Sequence, residues 1–383
     1  ESKAKMEALI SNLSDALKIR IENLEWMSAE TKQKALEKWN TFEPRVGYPD
    51  KWRNWAGLST GRDSYIGNVM AATEFNYKWD IGKIGKPVDK SEWGMRPQTV
   101  NASYNPLANQ LTFPAAILQP PFFDPDATDE MNYGGIGAVI GHEMTHGYDD
   151  QGSRFGPNGN FENWWSEADA KGFANLTNKL VQQFNGYEAQ PGKHVNGSLT
   201  LGENIADLGG LAIAYDAYQR ALGGKAPSAI DSLSGDQRFF ANWATVWRRN
   251  FTPDELSVRL TTDPHAPANF RAIGAPSNMP AFAKAFDCKT GDAMVRDGDR
   301  QVVILDLGEG RFRPEPVTVG RRGSGLVEIV AGVAAGDRVV SSATFLIDAE
   351  SNLNAALAAL AGPAAGGRAW KGVMAASSTM SED

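Results

Sequence analysis

The chain has 383 residues, with 38 Lys and Arg against 46 Asp and Glu, a formal charge of −8. That length leaves room for two to three domains and a sizeable core, and the acidic balance argues against a surface that tracks nucleic-acid phosphates. A single cysteine, Cys288, excludes an intrachain disulfide without deciding the compartment, and no apolar run reaches the roughly 18 residues of a spanning helix.

Met6, Leu9, Ile10, Leu13, Leu17, Ile21 and Leu24 form an apolar stripe at helical spacing, so the chain opens on a long helix. A second helix is expected to start after Ser28 and stop before Pro44. Further on comes His142-Glu143-Met144-Thr145-His146. On a helix, histidines four residues apart leave the same face within reach of one metal ion. Neutral imidazole suits zinc, and Glu143 projects beside the ion, where it can take a proton from a bound water. A chance match on a surface helix is the plain alternative, but the chain has only four histidines and two of them fall in this motif.

Leu201-Gly202-Glu203-Asn204-Ile205-Ala206-Asp207 reads as another helix, continuing through Gly209, Gly210, Leu211 and Tyr215. Glu203 and Asp207 share a face. Catalytic zinc takes three protein ligands and keeps a fourth position open. Glu203 could therefore be the third ligand, with Asp207 one turn away to accept an N–H from a ligating histidine. An exposed acidic face is the commoner fate of such a pair. Flanking Leu201, Ile205, Leu208 and glycines suit a packed helix better.

Several longer motifs carry a resemblance: Asn101-Ala102-Ser103-Tyr104, Phe113-Pro114-Ala115, Ile117-Leu118-Gln119-Pro120-Pro121-Phe122-Phe123, and Tyr133-Gly134-Gly135-Ile136-Gly137 leading into Val139-Ile140-Gly141-His142-Glu143. Gly202-Glu203-Asn204-Ile205-Ala206-Asp207, Thr262-Asp263-Pro264-His265 and Asn269-Phe270-Arg271 follow in order. From about residue 3 to about residue 300 the chain resembles the neprilysin family of zinc endopeptidases, most closely its bacterial PepO-type members. The resemblance implies one zinc per chain, held by His142, His146 and Glu203, with Glu143 as general base and Asp207 orienting a histidine. It assigns His265 and Arg271 to the oxyanion and a substrate carbonyl, and Asn101 with the Ala102 backbone to the peptide main chain. Phe122, Val139, Val246 and Trp247 match the apolar pocket for the side chain after the scissile bond. By themselves, His265 would read as a loop histidine and Arg271 as a surface ion-pair residue. Trp247 would belong to a core stripe with Phe239, Phe240, Trp243, Val246 and Phe251. His194 stands before an Asn-Gly turn signal and has no assignment.

The family's helical lobe, which roofs the cleft, is mostly absent from this sequence, so an open site and self-association over an apolar rim are expected. Past Gln301-Val302-Val303-Ile304, the chain departs from the family into short strands between Gly and Asp turns, at Phe312–Val319, Leu326–Val330 and Val339-Val340. Val327-Glu328-Ile329-Val330, Gly336-Asp337-Arg338-Val339-Val340 and Phe345-Leu346-Ile347-Asp348-Ala349-Glu350-Ser351 resemble the membrane-proximal region of periplasmic efflux adaptor proteins.

The expected fold is α+β and mainly helical: a thermolysin-like zinc peptidase core with a small sheet, followed by a small β-rich module. The expected domains are 1–95, a helical remnant of the lid and linking helices; 96–300, the catalytic domain; 301–360, the adaptor-like module; and 361–383, a disordered tail. The expected function is zinc-dependent hydrolysis of oligopeptides before hydrophobic residues, the alternative being a weak or inactive binding or efflux-adaptor fusion. No nucleic-acid partner and no membrane span are expected, and an efflux-pump partner is left open. The chain opens on Glu1-Ser2-Lys3 with no apolar signal core, so a periplasmic or secreted location is inferred from the family alone.

Overall fold

A computed structural model of the chain describes residues 2–289, 294, 301–308, 311–323, 326–334 and 336–339. Two compact units divide at Cys288/Lys289. The expected tail at 361–383, the Phe345–Ser351 stretch and Val340 lie outside the described residues.

In the first unit, α1 (Ser2–Asn23) buries Met6, Leu9, Ile10, Leu13, Leu17 and Ile21, the stripe that its sequence spacing predicts. Helix α2 (Ala29–Trp39) starts where Ser28 accepts the Thr31 N–H at 3.3 Å, an ordinary N-cap. Strand β1 (Glu43–Gly47) follows, then α3 (Tyr65–Ile81), which has no buried residue and exposes Ile66, Met70, Tyr77 and Ile81. Strands β2 (Ser103–Asn105) and β3 (Gln110–Pro114) complete a sheet of order β1-β3-β2, parallel between β1 and β3 and antiparallel between β2 and β3. β3 is wholly buried, and β2 keeps one edge unpaired within the sheet.

The short α4 (Asp129–Asn132) and a π-helical turn at Tyr133–Gly137 lead into α5 (Ala138–Thr145). α6 (Glu167–Asn185), the hairpin β4 (Glu188–Gln190) and β5 (Lys193–His194), and α7 (Leu201–Leu222) come next. α8 (Gly235–Val246), α9 (Pro253–Thr262), α10 (Ala268–Gly274) and α11 (Pro280–Ala285) close the unit. One apolar cluster joins α1, β3, α5, α7 and α8. Residues of α1, α2 and β1 therefore pack into the same apolar core as the motif helices.

Helices α5 and α7 cross where each presents glycine. A Cβ on Gly210 would stand 2.3 Å from the His142 nitrogen, and one on Gly141 would stand 2.5 Å from the Gly210 carbonyl oxygen. This backbone-to-backbone approach carries His142 and Glu203 toward each other. Gly210→Ala must push the helices apart, and we expect a loss of roughly 1–3 kcal/mol, as for overpacked cores. Urea unfolding would check it; an unchanged midpoint would contradict the contact.

The second unit contains an antiparallel meander, β6 (Gln301–Gly308), β7 (Arg311–Gly323) and β8 (Leu326–Ala331). β7 pairs with β8 from Thr318 onward, while Pro314 and Pro316 lie in the part that pairs with β6 alone. Proline lacks a donor, so it suits a stretch with one unpaired side.

Candidate metal centre and substrate cleft

His142 and Glu143 lie in the last turn of α5, and His146 caps its C-terminal end. Glu203 occupies the first turn of α7 and Asp207 the second. The imidazoles meet edge to face, with centroids 4.6 Å apart and planes at 87°. Their Nε2 atoms are 3.0 Å apart. Glu203 places Oε2 3.3 Å from His142 Nε2 and Oε1 3.6 Å from His146 Nε2.

Those separations suit one small cation. Ligand atoms about 2.0–2.1 Å from a tetrahedral zinc stand roughly 3.3 Å from one another. The outer nitrogens point the same way: His142 Nδ1 lies 2.9 Å from Asp207 Oδ1, and His146 Nδ1 lies 2.7 Å from Asp149 Oδ2. Each carboxylate favours a proton on Nδ1, so with both rings neutral the two Nε2 lone pairs face each other. A cation between them relieves that repulsion. His142, His146 and Glu203 are the cluster that could hold a metal among the described residues, and their donor set fits zinc.

The surroundings are strongly charged. Burial would lower His142, yet Asp207, Glu203 and Glu143 raise its pKa to about 10. Burial also opposes ionisation of Glu203, but His142, His265 and Arg271 hold its carboxyl well below the usual range. A field that favours positive charge at His142 also favours a dication. Glu143, 6 % exposed, is shifted the other way: burial raises its carboxyl against the pull of His142, His146 and Arg271. A carboxylate moved toward neutrality suits a general base.

Arg271, on α10, donates Nε and Nη2 to the two oxygens of Asp207, each at 2.7 Å, and reaches Glu203 Oε2 at 3.4 Å. Its guanidinium lies 4.0 Å from the Trp247 ring centroid. His265 follows α9 and is exposed. Its Nε2 is 3.2 Å from Glu203 Oε2, and Asp263 Oδ1 accepts from its Nδ1 at 2.7 Å.

A cleft of about 710 Å³ brings together every site residue that the sequence nominates. Asn101 and Ala102 lead into the edge strand β2. Phe122, Val139, Val246 and Trp247 line the apolar part with Ile117 and Trp243. Phe122 is held against the metal helix because its carbonyl accepts the Ile136 N–H, within the π-helical turn, at 2.7 Å. Trp247 also packs edge-on against buried Trp243 at 5.4 Å, so it belongs to core and cleft alike. His194 lies on β5, away from these contacts.

Sequence reasoning missed Asp149, which does for His146 what Asp207 does for His142. Its position three residues after His146 was the available signal. Asp263, which steadies His265, stands in the Thr262–His265 motif, whose sequence alone gives it no role.

With that geometry in view, comparison with known proteins gives the family. Residues 101–302 and 1–49 match peptidase family M13, and the chain belongs to that family. Residues 291–348 match the CzcB C-terminal circularly permuted SH3-like domain, in agreement with the adaptor-like motifs. The chain is 39 % identical over 305 residues to Neprilysin-3 of Drosophila melanogaster, covering 77 % of this chain and 39 % of that protein. Against human neprilysin it is 39 % identical over 307 residues, covering 77 % and 41 % respectively.

Among solved structures, the zinc metalloprotease ZMP1 of Mycobacterium tuberculosis, in complex with an inhibitor, superposes with a TM-score of 0.76 at 47 % identity. It covers 78 % of this chain and 46 % of that one. PEPO from Lactobacillus rhamnosis gives 0.71 at 34 % identity, covering 77 % and 46 %. The helical, thermolysin-like core expected from the sequence is the fold found. The chain spans about 40 % of the length of the curated relatives it matches. No helix among the described residues is long and apolar enough to cross a membrane.

Proposed function

We propose that the chain is a zinc-dependent endopeptidase that hydrolyses oligopeptides. The observation that carries this reading is the convergence of His142, His146 and Glu203 with a buried Glu143 beside them in one cleft. When bound, zinc supplies a Lewis acid that acidifies a water and polarises a carbonyl. Glu143 takes the proton of the attacking water and passes it to the leaving amine. His265 and Arg271 provide positive charge where the oxyanion develops. Arg271 spends Nε and Nη2 on its carboxylate partners, and among the described residues its Nη1 donates to no protein atom, which supports a role on a substrate carbonyl. The free edge of β2 after Asn101 and Ala102 suits an extended peptide main chain.

The apolar walls at Phe122, Val139, Val246 and Trp247 support cleavage before a hydrophobic residue. Mass-spectrometric mapping of products from a mixed oligopeptide pool tests this. New N-termini enriched in Leu, Ile, Val, Met and Phe are expected; enrichment in charged residues would contradict the pocket assignment. A periplasmic or secreted location belongs to the same proposal and rests on the family alone. The intact ligand set and base weigh against an inactive binding protein. The C-terminal unit contains none of the proposed site residues, and we read it as an appendage or docking module.

A further inference from the structure

We propose that Lys38 is a positioning residue for the metal centre. Its buried ammonium shapes the loop after α5 so that Asp149 holds His146 in its ligating orientation. This rests on the metal-site reading above.

Lys38, on α2, is fully buried. Its Nζ donates to three carbonyls of that loop: Gly147 at 2.6 Å, Gly152 at 2.7 Å and Phe155 at 2.7 Å. An ammonium has three donors, and here each has one acceptor. The rings of Tyr104 and Tyr148 flank it, each centroid 5.8 Å away. Burial lowers the Lys38 pKa to about 8 against the opposing charge of Asp149, so the cation persists at neutral pH.

The same loop is organised from inside by Asp149. Its Oδ1 accepts from the Gln151 N–H at 2.9 Å and the Gly152 N–H at 2.6 Å, while Oδ2 faces His146 Nδ1 at 2.7 Å. Gly152 is thus gripped from both sides, its N–H by Asp149 and its carbonyl by Lys38. Gly147, whose carbonyl also meets Lys38, is the residue after His146. The arrangement is that of a structural cation wrapped by backbone carbonyls, with a lysine supplying the charge. A core lysine is otherwise costly to bury, and an apolar residue would fill the space while orphaning three carbonyls. Asn109 fixes the lysine's own backbone, donating Nδ2 to the Lys38 carbonyl at 2.9 Å. Residues 1–49 of this chain, which match one model of peptidase family M13, thereby help build a site whose proposed ligands all lie in the stretch 101–302 that matches the other.

The test is zinc affinity, measured by competition with a chromophoric chelator well below the unfolding temperature, on the full chain. K38M is expected to weaken zinc by about 10-fold or more, the lower end for loss of an outer partner of a metal ligand. D149A should weaken it similarly, and K38M should add little in the D149A background, because both act through one loop. K38R keeps the charge but cannot reproduce three short bonds, so it should fall between wild type and K38M. Should K38M fail to fold, K38R with and without D149A gives the same comparison.

The control for mere destabilisation is D169A. Asp169 ties α2 to α6, accepting from Ser28 N at 2.8 Å, Thr31 Oγ1 at 2.6 Å and Ser166 Oγ at 2.6 Å. D169A should lower the unfolding temperature of the metal-free chain and leave zinc affinity within about two-fold of wild type, because its partners Ser28, Thr31 and Ser166 lie outside the loop that carries Asp149. Wild-type zinc affinity in K38M, equal weakening by K38M and D169A, or additive effects of K38M and D149A would each overturn the proposal. A wild-type chain that binds no zinc would overturn the metal-site reading and this inference together; that outcome is distinct from wild type and K38M binding equally.

Discussion

Glu143→Gln is expected to keep its metal and lose about 10²–10⁴-fold in peptide hydrolysis, the usual scale of a general base. Glutamine preserves the shape of a side chain that is 6 % exposed and leaves all three ligand positions in place, but its amide cannot accept the water's proton. Burial already raises the Glu143 carboxyl, so the site holds a base nearer to neutrality than a free glutamate. Initial rates on an internally quenched peptide, paired with metal analysis of the same sample, separate the two effects. Turnover near wild type would sink the assignment of Glu143.

Glu203→Ala should lose the metal itself. Its carboxylate is the anionic member of the donor set and stands between both histidines, 3.3 and 3.6 Å from their Nε2 atoms. Without it two neutral imidazoles remain, one ligand short of the three that catalytic zinc requires. Arg271 and His265 would also lose an anionic neighbour, leaving positive charge beside the vacated position. Atomic absorption on dialysed protein should find well under one zinc per chain. Full occupancy would mean that another residue is the third ligand.

Much of this site was legible because helical spacing projects residues four apart onto one face. His142 with His146 and Glu203 with Asp207 follow that rule directly. Asp149 obeys the same physics yet escaped, because the chain leaves the helix at His146 and no periodicity survives beyond it. Lys38 was invisible for a different reason. In Ala29–Trp39 it is one lysine among several on a polar helix, and nothing local marks the one that turns inward to meet loop carbonyls about 110 residues later.

The apolar stripe of α1 gave its buried face correctly, while its membership of the core around α5 and α7 depends on a long-range partner, α7. Likewise β1 is only five residues long and pairs parallel with β3, from Glu43 to Gln110. Such a strand has too little alternation to announce itself. In the C-terminal module, Gly and Asp turns between short apolar runs sufficed to place β7 and β8 nearly where they lie.

The central claim is that His142, His146 and Glu203 hold one zinc ion on which peptide hydrolysis depends. The most direct measurement takes the purified 383-residue chain through chelation and readdition, following metal content and peptide cleavage together. About one zinc per chain, hydrolysis that disappears with the metal, and recovery in proportion to zinc restored are the predicted results. Cleavage that persists in the metal-free chain, or stoichiometric zinc with no cleavage of any oligopeptide, would contradict it.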